Sequence, residues 1–276
     1  MKMNGASIAS VALVGFLVLN QNTVAPHAQG VNNASRSGCS LLPSWDSLKA
    51  ALTTATAAAN GLLRNHMWGT IVDRDGVVCA VAFTGGDRTR QWLGSRVISA
   101  QKANTANAFS LPAGSSGTFP GGLALSTANL YTAVQPGGNL YGLQHSNPVA
   151  TDVAYSGSPD RYGLPNDPMV GGRIGGVNVF GGGLPLYDEN RVLIGGIGVS
   201  GDTSCADHNV AYRARNILIL DYVPAGVSGN PQRRDTIVYD IVPQPGQMPG
   251  ISASGWGHPT CFAPDVAAEA TLPDNR

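Results

Sequence analysis

The chain is poor in charge. Asp, Glu, Lys and Arg make up 12% of its 276 residues, about half the share of an ordinary soluble domain. The two signs balance at 17 each, and no Lys/Arg cluster interrupts the sequence. It therefore lacks the basic footprint of a nucleic-acid-binding surface. Internal repeats are absent. Cysteine is sparse: Cys39, Cys79, Cys205 and Cys261 stand far apart, without the close spacing of a zinc site. Apolar runs long enough to approach a bilayer span are missing beyond Ile8 to Leu19.

That run follows Lys2 and precedes the small residues Ala28 and Gly30. It is too short to cross a membrane comfortably, and its three-part layout is that of an export signal. Residues 1–30 are expected to be a signal peptide of a secreted or periplasmic protein, with a membrane anchor as the alternative. In an oxidising compartment four cysteines favour disulfides. Of three possible pairings, Cys39–Cys79 with Cys205–Cys261 is favoured, because each would pin a terminal extension to the body. Free buried thiols are the alternative.

What the chain has is glycine, 36 of them, and a hydrophobic content of 43%, enough for a packed core. "PSWDSLKAALTTATAAANG" reads as a helix capped by Ser44 and stopped by Gly61. "MWGTIVD" and "VVCAVAF" read as a hairpin around Asp75-Gly76. "TRQWLGSRVISAQKANTANAF" reads as a second helix with Leu93, Val97, Ala100 and Ala103 on one side. "STANLYTAV" reads as a short third. From Ser146 to Gly176 a Pro/Gly/Asp/Ser-rich stretch reads as a long surface loop. "VNVF", "LPLYD" and "RVLIGGIGVSG" follow as strands, the last two joined at Glu189-Asn190. "SCADHNVAYRARNILIL" is a helix capped by Ser204. Residues 221–276 form a Pro-rich extension whose one strand candidate is "TIVYDI". Hairpins alternating with helices predict an α+β fold on an antiparallel sheet.

Three motifs in Gly181 to Asn209 compete for a chemical role. Gly196-x-Gly198-x-x-Gly201 matches a dinucleotide fingerprint, but too few strands follow it for a dinucleotide-binding domain. Gly198-x-Ser200-x-Asp202 approaches a nucleophile elbow with its last Gly replaced. Its would-be partners Asp207 and His208 are neighbours pointing about 100° apart on one helix. Cys205 and His208 face one way on that helix, but no further ligands cluster with them.

The pattern resembles the GlcG/HbpS-like family of haem-binding and haem-degrading proteins. The likeness is carried, in order, by "IVDRDGVVCAVAF", by Lys102-Ala-Asn-Thr105-Ala within "SAQKANTANAF", and by "GGGLPLYDENRVLIGGIGVSGDT". It spans roughly Ser44 to Leu220. The resemblance implies a profilin-like fold, an antiparallel sheet flanked by helices, here with the 146–176 insertion and the C-terminal extension. Residues 31–220 would form the domain. It also implies haem as cofactor, held near subunit contacts in a homo-oligomer, with an unusual threonine ligand carried onto Thr105. Axial ligation otherwise falls to His, Cys, Met or Tyr. His145 beside the insertion is the candidate here, and His66, His208 and His258 are weaker ones. Lys102, Arg96 and Arg173 could pair with propionates. Tyr141 and Tyr131 could flank a porphyrin. The expected function is an exported haem-binding protein, leaning towards capture of haem over its oxidative degradation with iron release. The alternative is a profilin-like module for another small planar ligand.

Overall fold

The computed structural model describes residues 38–276; the expected signal peptide lies outside them. Helix α1 (Trp45–Ala57) starts where the Ser44 hydroxyl accepts the Ser47 amide, and buries Leu48, Ala51, Leu52 and Ala55, a stripe at helical spacing. Its end is closed not by Gly61 but by Asn60, whose amide donates to the carbonyls of Ala55 and Ala58. Strands β1 (Trp68–Asp73) and β2 (Val78–Phe83) form the expected hairpin. Gly76 takes φ +75° in its turn, a conformation that glycine adopts at little cost. Helix α2 (Ser95–Phe109) begins later than its sequence suggests. Trp92 and Leu93 precede it and are exposed. The "STANLYTAV" helix is a pair of 3-10 turns.

Strands β3 (Gly183–Tyr187) and β4 (Leu193–Ser200) complete an antiparallel sheet of order β2-β1-β4-β3. Helix α5 (Ser204–Ile217) follows β4; Thr203, rather than Ser204, caps it by accepting the Ala206 amide. The strands alternate between two apolar layers. Ile71, Ala80, Ala82, Leu184, Leu186, Ile197 and Val199 pack with α1 and α5. Trp68, Val72, Val81 and Phe83 pack with Val97, Ala100 and Ala103 of α2. This is the α+β layout expected, a four-stranded antiparallel sheet between helices.

At Gly196 and Gly198 of β4 and at Gly183, where β3 starts, the face under α2 carries no side chain. An added Cβ at Gly198 would lie 1.9 Å from the Ser99 carbonyl oxygen, at Gly196 2.3 Å from that of Ala103, and at Gly183 2.4 Å from that of Lys102. The helix backbone rests on the strand backbone. The apparent dinucleotide fingerprint is this floor, and Ser200 ends its strand.

The 146–176 segment is more structured than a surface loop. It carries the short helices α3 (Leu143–Ser146, at its entrance) and α4 (Thr151–Ala154), and it buries Asp167, Met169 and Ile174. The Val149–Gly175 bridge joins its two ends. "VNVF" runs as an irregular strap rather than a strand. In the extension, "TIVYDI" is largely irregular. The tail instead folds a hairpin, β5 (Ile241–Gln244) with β6 (Gln247–Ser252), and helix α6 (Ala263–Glu269). Both favoured disulfides are present, Cys39–Cys79 and Cys205–Cys261.

Gly198→Ala should therefore lift α2 from the sheet and cost roughly 3 kcal/mol or more in urea unfolding, the range of severe core overpacking. Gly86→Ala, with open space around its Cβ, should change stability by less than about 0.5 kcal/mol.

Candidate functional site

The sequence candidates fall into two places, one buried and one exposed. Lys102 and Thr105 lie one turn apart on α2, and both are fully buried. The Lys102 ammonium reaches past the start of β3 to the other side of the sheet. There it donates to Asp207 Oδ2 at 2.7 Å and to the Val199 carbonyl at 3.1 Å. The Phe180 ring covers it, 4.5 Å from Nζ. Asp207, in the first turn of α5, uses Oδ1 to accept the Asp202 amide. Burial pushes the Asp207 carboxyl up to about 6 against the pull of Lys102, and burial lowers Lys102. The Thr105 hydroxyl donates to the Gln101 carbonyl and accepts the Asn178 amide. Both side chains are thus committed to internal partners under the 177–182 strap, and neither faces solvent.

Two further buried pairs use the same device. Arg96 makes a bidentate pair with Asp167 of the insertion, donates to the Ala154 carbonyl, and stacks 3.6 Å from the Tyr162 ring. Arg215 makes a bidentate pair with Asp235 of the extension. Lys102 joins α2 to α5, Arg96 joins α2 to the insertion, and Arg215 joins α5 to the tail. Arg96 and Lys102 are occupied as structural cations rather than free for a propionate.

His208 sits beside this network with no exposed surface, and neither ring nitrogen has a hydrogen-bond partner. Burial holds it neutral, with a pKa well below 6.5. His258 packs edge-on to Tyr131, with centroids 5.3 Å apart. Its Nδ1 meets the Pro259 carbonyl at 2.7 Å, and burial pushes it down to about 4. The Cys205–Cys261 bond closes over the same end of α5, so Cys205 is not a free thiol.

The second place is open. Gly142, at φ +88°, starts α3, and Leu143 roots the helix in the cluster of Leu123, Leu125, Leu130, Val134 and Val179. His145 lies exposed on this helix. Tyr141 just before it is 63% exposed and Leu140 39%. Arg173 is exposed on the other arm of the insertion. The segments carrying His145 and Arg173 run into the Val149–Gly175 bridge. His66 is exposed too, in a pocket of about 570 Å³ lined by Gly86, Asp87 and Arg90. Its Nδ1 lies 3.2 Å from the Thr84 hydroxyl, and no apolar side chain lines that pocket.

A haem needs an accessible donor atom, an apolar face and a cation for its propionates. His145, Tyr141, Leu140 and Arg173 offer these residue types, exposed on the two segments that run into the Val149–Gly175 bridge. Thr105 and Lys102 do not fit, because their polar atoms already have protein partners. Sequence reasoning missed Asp207, Asp167 and Asp235 as partners of the buried cations. The partners are up to 105 residues apart in the chain, and no local pattern marks them.

Two outcomes follow. Lys102→Met leaves Asp207 as an unpaired buried carboxylate and should cost about 3–5 kcal/mol in urea unfolding. Adding Asp207→Asn should recover more than half of that. His208 has a folded pKa below its unfolded value, so its contribution to stability is present above pH 6.5 and falls as the pH is lowered. His208→Leu should therefore match or exceed wild-type stability at pH 7, and its advantage should grow at pH 5, read as Tm at the two values.

None of the curated proteins matches the chain in sequence. Among solved structures it is similar to the Klebsiella pneumoniae protein ORFY, with 24% identity over 63% of this chain and 86% of that one, at a TM-score of 0.40. It is similar to a PduOC–haem complex at the same identity and TM-score, over 63% of this chain and 94% of that one. HbpS follows at 18% identity, over 64% and 89%, with a TM-score of 0.39. The sequence profile described as haem degrading protein HbpS-like matches residues 44–216, well over half of the chain, and the chain therefore belongs to the HbpS-like family.

Proposed function

We propose that this is an exported haem-binding protein that takes haem at the surface carrying His145, and captures it rather than degrading it. Membership of a family described as haem degrading supports haem as the ligand. The observation that carries the location is the contrast between the two candidate places. Thr105 and Lys102 are sealed by the Asn178 amide and the Asp207 carboxylate, whereas His145 presents its imidazole to solvent from a helix rooted by Leu143.

In this reading the His145 imidazole would hold the haem iron, Tyr141 and Leu140 would pack against the porphyrin, and Arg173 would pair with a propionate. Bound haem would bring iron that reacts with oxygen or peroxide. The exposed residues His145, Tyr141, Leu140 and Arg173 include no carboxylate to steer such a reaction, which favours capture over turnover. Haem-degrading activity is the second reading, favoured by the description of the family. Export is supported by two disulfides, which persist in oxidising compartments. Among the described residues no helix is long and apolar enough to cross a membrane. Self-association over the exposed Leu140 and Tyr141 would enclose the haem further.

Haemin titration followed by absorbance tests the reading. Wild type should give a saturable Soret shift. His145→Ala should weaken it by on the order of 100-fold, while Thr105→Ala should leave it unchanged. An unchanged shift in His145→Ala, or none in wild type, contradicts the proposal. With ascorbate added, a stable Soret band supports capture, and conversion to a biliverdin-like product establishes turnover.

A further inference from the structure

A second cluster, far from His145 in the chain, has ligand chemistry that the haem reading does not use. Asp73 ends β1, Cys79 lies in β2, and Cys39 lies in the 3-10 turn Gly38–Leu41. One carboxylate oxygen of Asp73 and the two sulfurs all lie within 4.8 Å of one another. The cysteines are half-buried, and Asp73 is 1% exposed. Asp73 Oδ1 accepts the amides of Asp75 and Val77, which fixes the carboxylate's orientation. Its other oxygen, Oδ2, is buried with no partner. An unpaired buried carboxylate oxygen is costly, and it belongs to the carboxylate that lies within 4.8 Å of the two sulfurs.

We propose that, in its dithiol form, the Cys39–Asp73–Cys79 cluster binds a divalent metal ion of the zinc class, with a fourth position left to water. Disulfide sulfurs carry no negative charge and are poor ligands, so the oxidised protein holds no metal here. A dithiol or phosphine reductant supplies two electrons. The S–S bond breaks, two protons are taken up, and the reductant is oxidised. The metal then displaces the two thiol protons, and two M–S bonds and one M–O bond form. Thiolate, thiolate and carboxylate suit a tetrahedral zinc-class ion, which accepts S and O donors at about 2.0–2.3 Å. A Cα–Cα separation of 5.3 Å between Cys39 and Cys79 lets both sulfurs reach one ion once the bond opens. Asp73 and Cys79 are held by the β1–β2 ladder, and the Asp75 and Val77 amides provide the outer contacts that tune such sites. The ligands come from three separate elements, so the sequence shows none of the short spacing by which zinc sites are recognised.

Cobalt(II) is the probe. The full-length mature protein is reduced anaerobically with a phosphine, and its far-ultraviolet circular dichroism is recorded before Co²⁺ is added. Reduced wild type should keep its fold and develop tetrahedral d–d bands with a near-ultraviolet thiolate charge-transfer band at one equivalent, both bleached by Zn²⁺. Unreduced protein should give neither. Cys39→Ser should abolish the bands. Asp73→Asn, which keeps the acceptor for Asp75 and Val77, should weaken Co²⁺ binding by about 10-fold or more. The Cys205→Ser, Cys261→Ser double variant should retain the site. Absence of bands in folded, reduced wild type overturns the proposal. So do bands that persist in Cys39→Ser, or loss of the fold on reduction.

Discussion

Everything in this fold is set by the closeness of α2 to the sheet. Three backbone positions, Gly183, Gly196 and Gly198, meet the helix backbone with no side chain between. Helices usually stand on sheets through interdigitated side chains; here the carbonyls of Ser99, Lys102 and Ala103 lie against strand backbone. Because α2 is so low, the side chains on its flanks lie level with the sheet. Lys102 can then reach past the β3 edge to Asp207 on the opposite face. Thr105 is brought under the 177–182 strap, where it accepts the Asn178 amide.

The buried ion pairs follow from that geometry and tie the 146–176 segment and the C-terminal tail to the sheet and its helices. An Arg–carboxylate fork in a dry interior is not a large net source of stability, but losing one partner is expensive. Arg96 with Asp167 fixes the insertion to α2, and Arg215 with Asp235 fixes the tail to α5. The Cys205–Cys261 bond adds a covalent tie at the other end of α5. The 146–176 segment and the tail are therefore built into the body, and α3, at the entrance of that segment, carries His145 exposed to solvent.

Much of the fold was legible in local pattern. The Ser44 cap, the Asp75-Gly76 hairpin and the glycine-rich β4 are short-range signals, and the structure contains them. The sequence misled where tertiary contacts decide. Trp92 and Leu93 continue the apolar spacing of α2, yet a 3-10 turn at Arg88–Arg90 and the non-helical stretch after it leave both exposed. "VNVF" has strand composition, but the Asn178 amide goes to Thr105 rather than to a neighbouring strand. The roles of Lys102 and Arg96 could not be read locally, because their carboxylates arrive from distant parts of the chain. The sequence left three disulfide pairings open and favoured the one in which each bond joins a terminal segment to the core; the structure contains that pairing. The burial of Thr105 was not, because a threonine in a helix looks the same whether it faces water or a strap.

Thr105 and Lys102 are sealed beneath the 177–182 strap, and the proposed haem surface is the exposed segment that carries His145. Hydrogen–deuterium exchange of the protein with and without haemin distinguishes the two places. Added protection is expected across residues 140–146, with α2 and the 177–182 strap unchanged. Haem-dependent change in α2 and the strap, with residues 140–146 unaffected, would contradict the proposal.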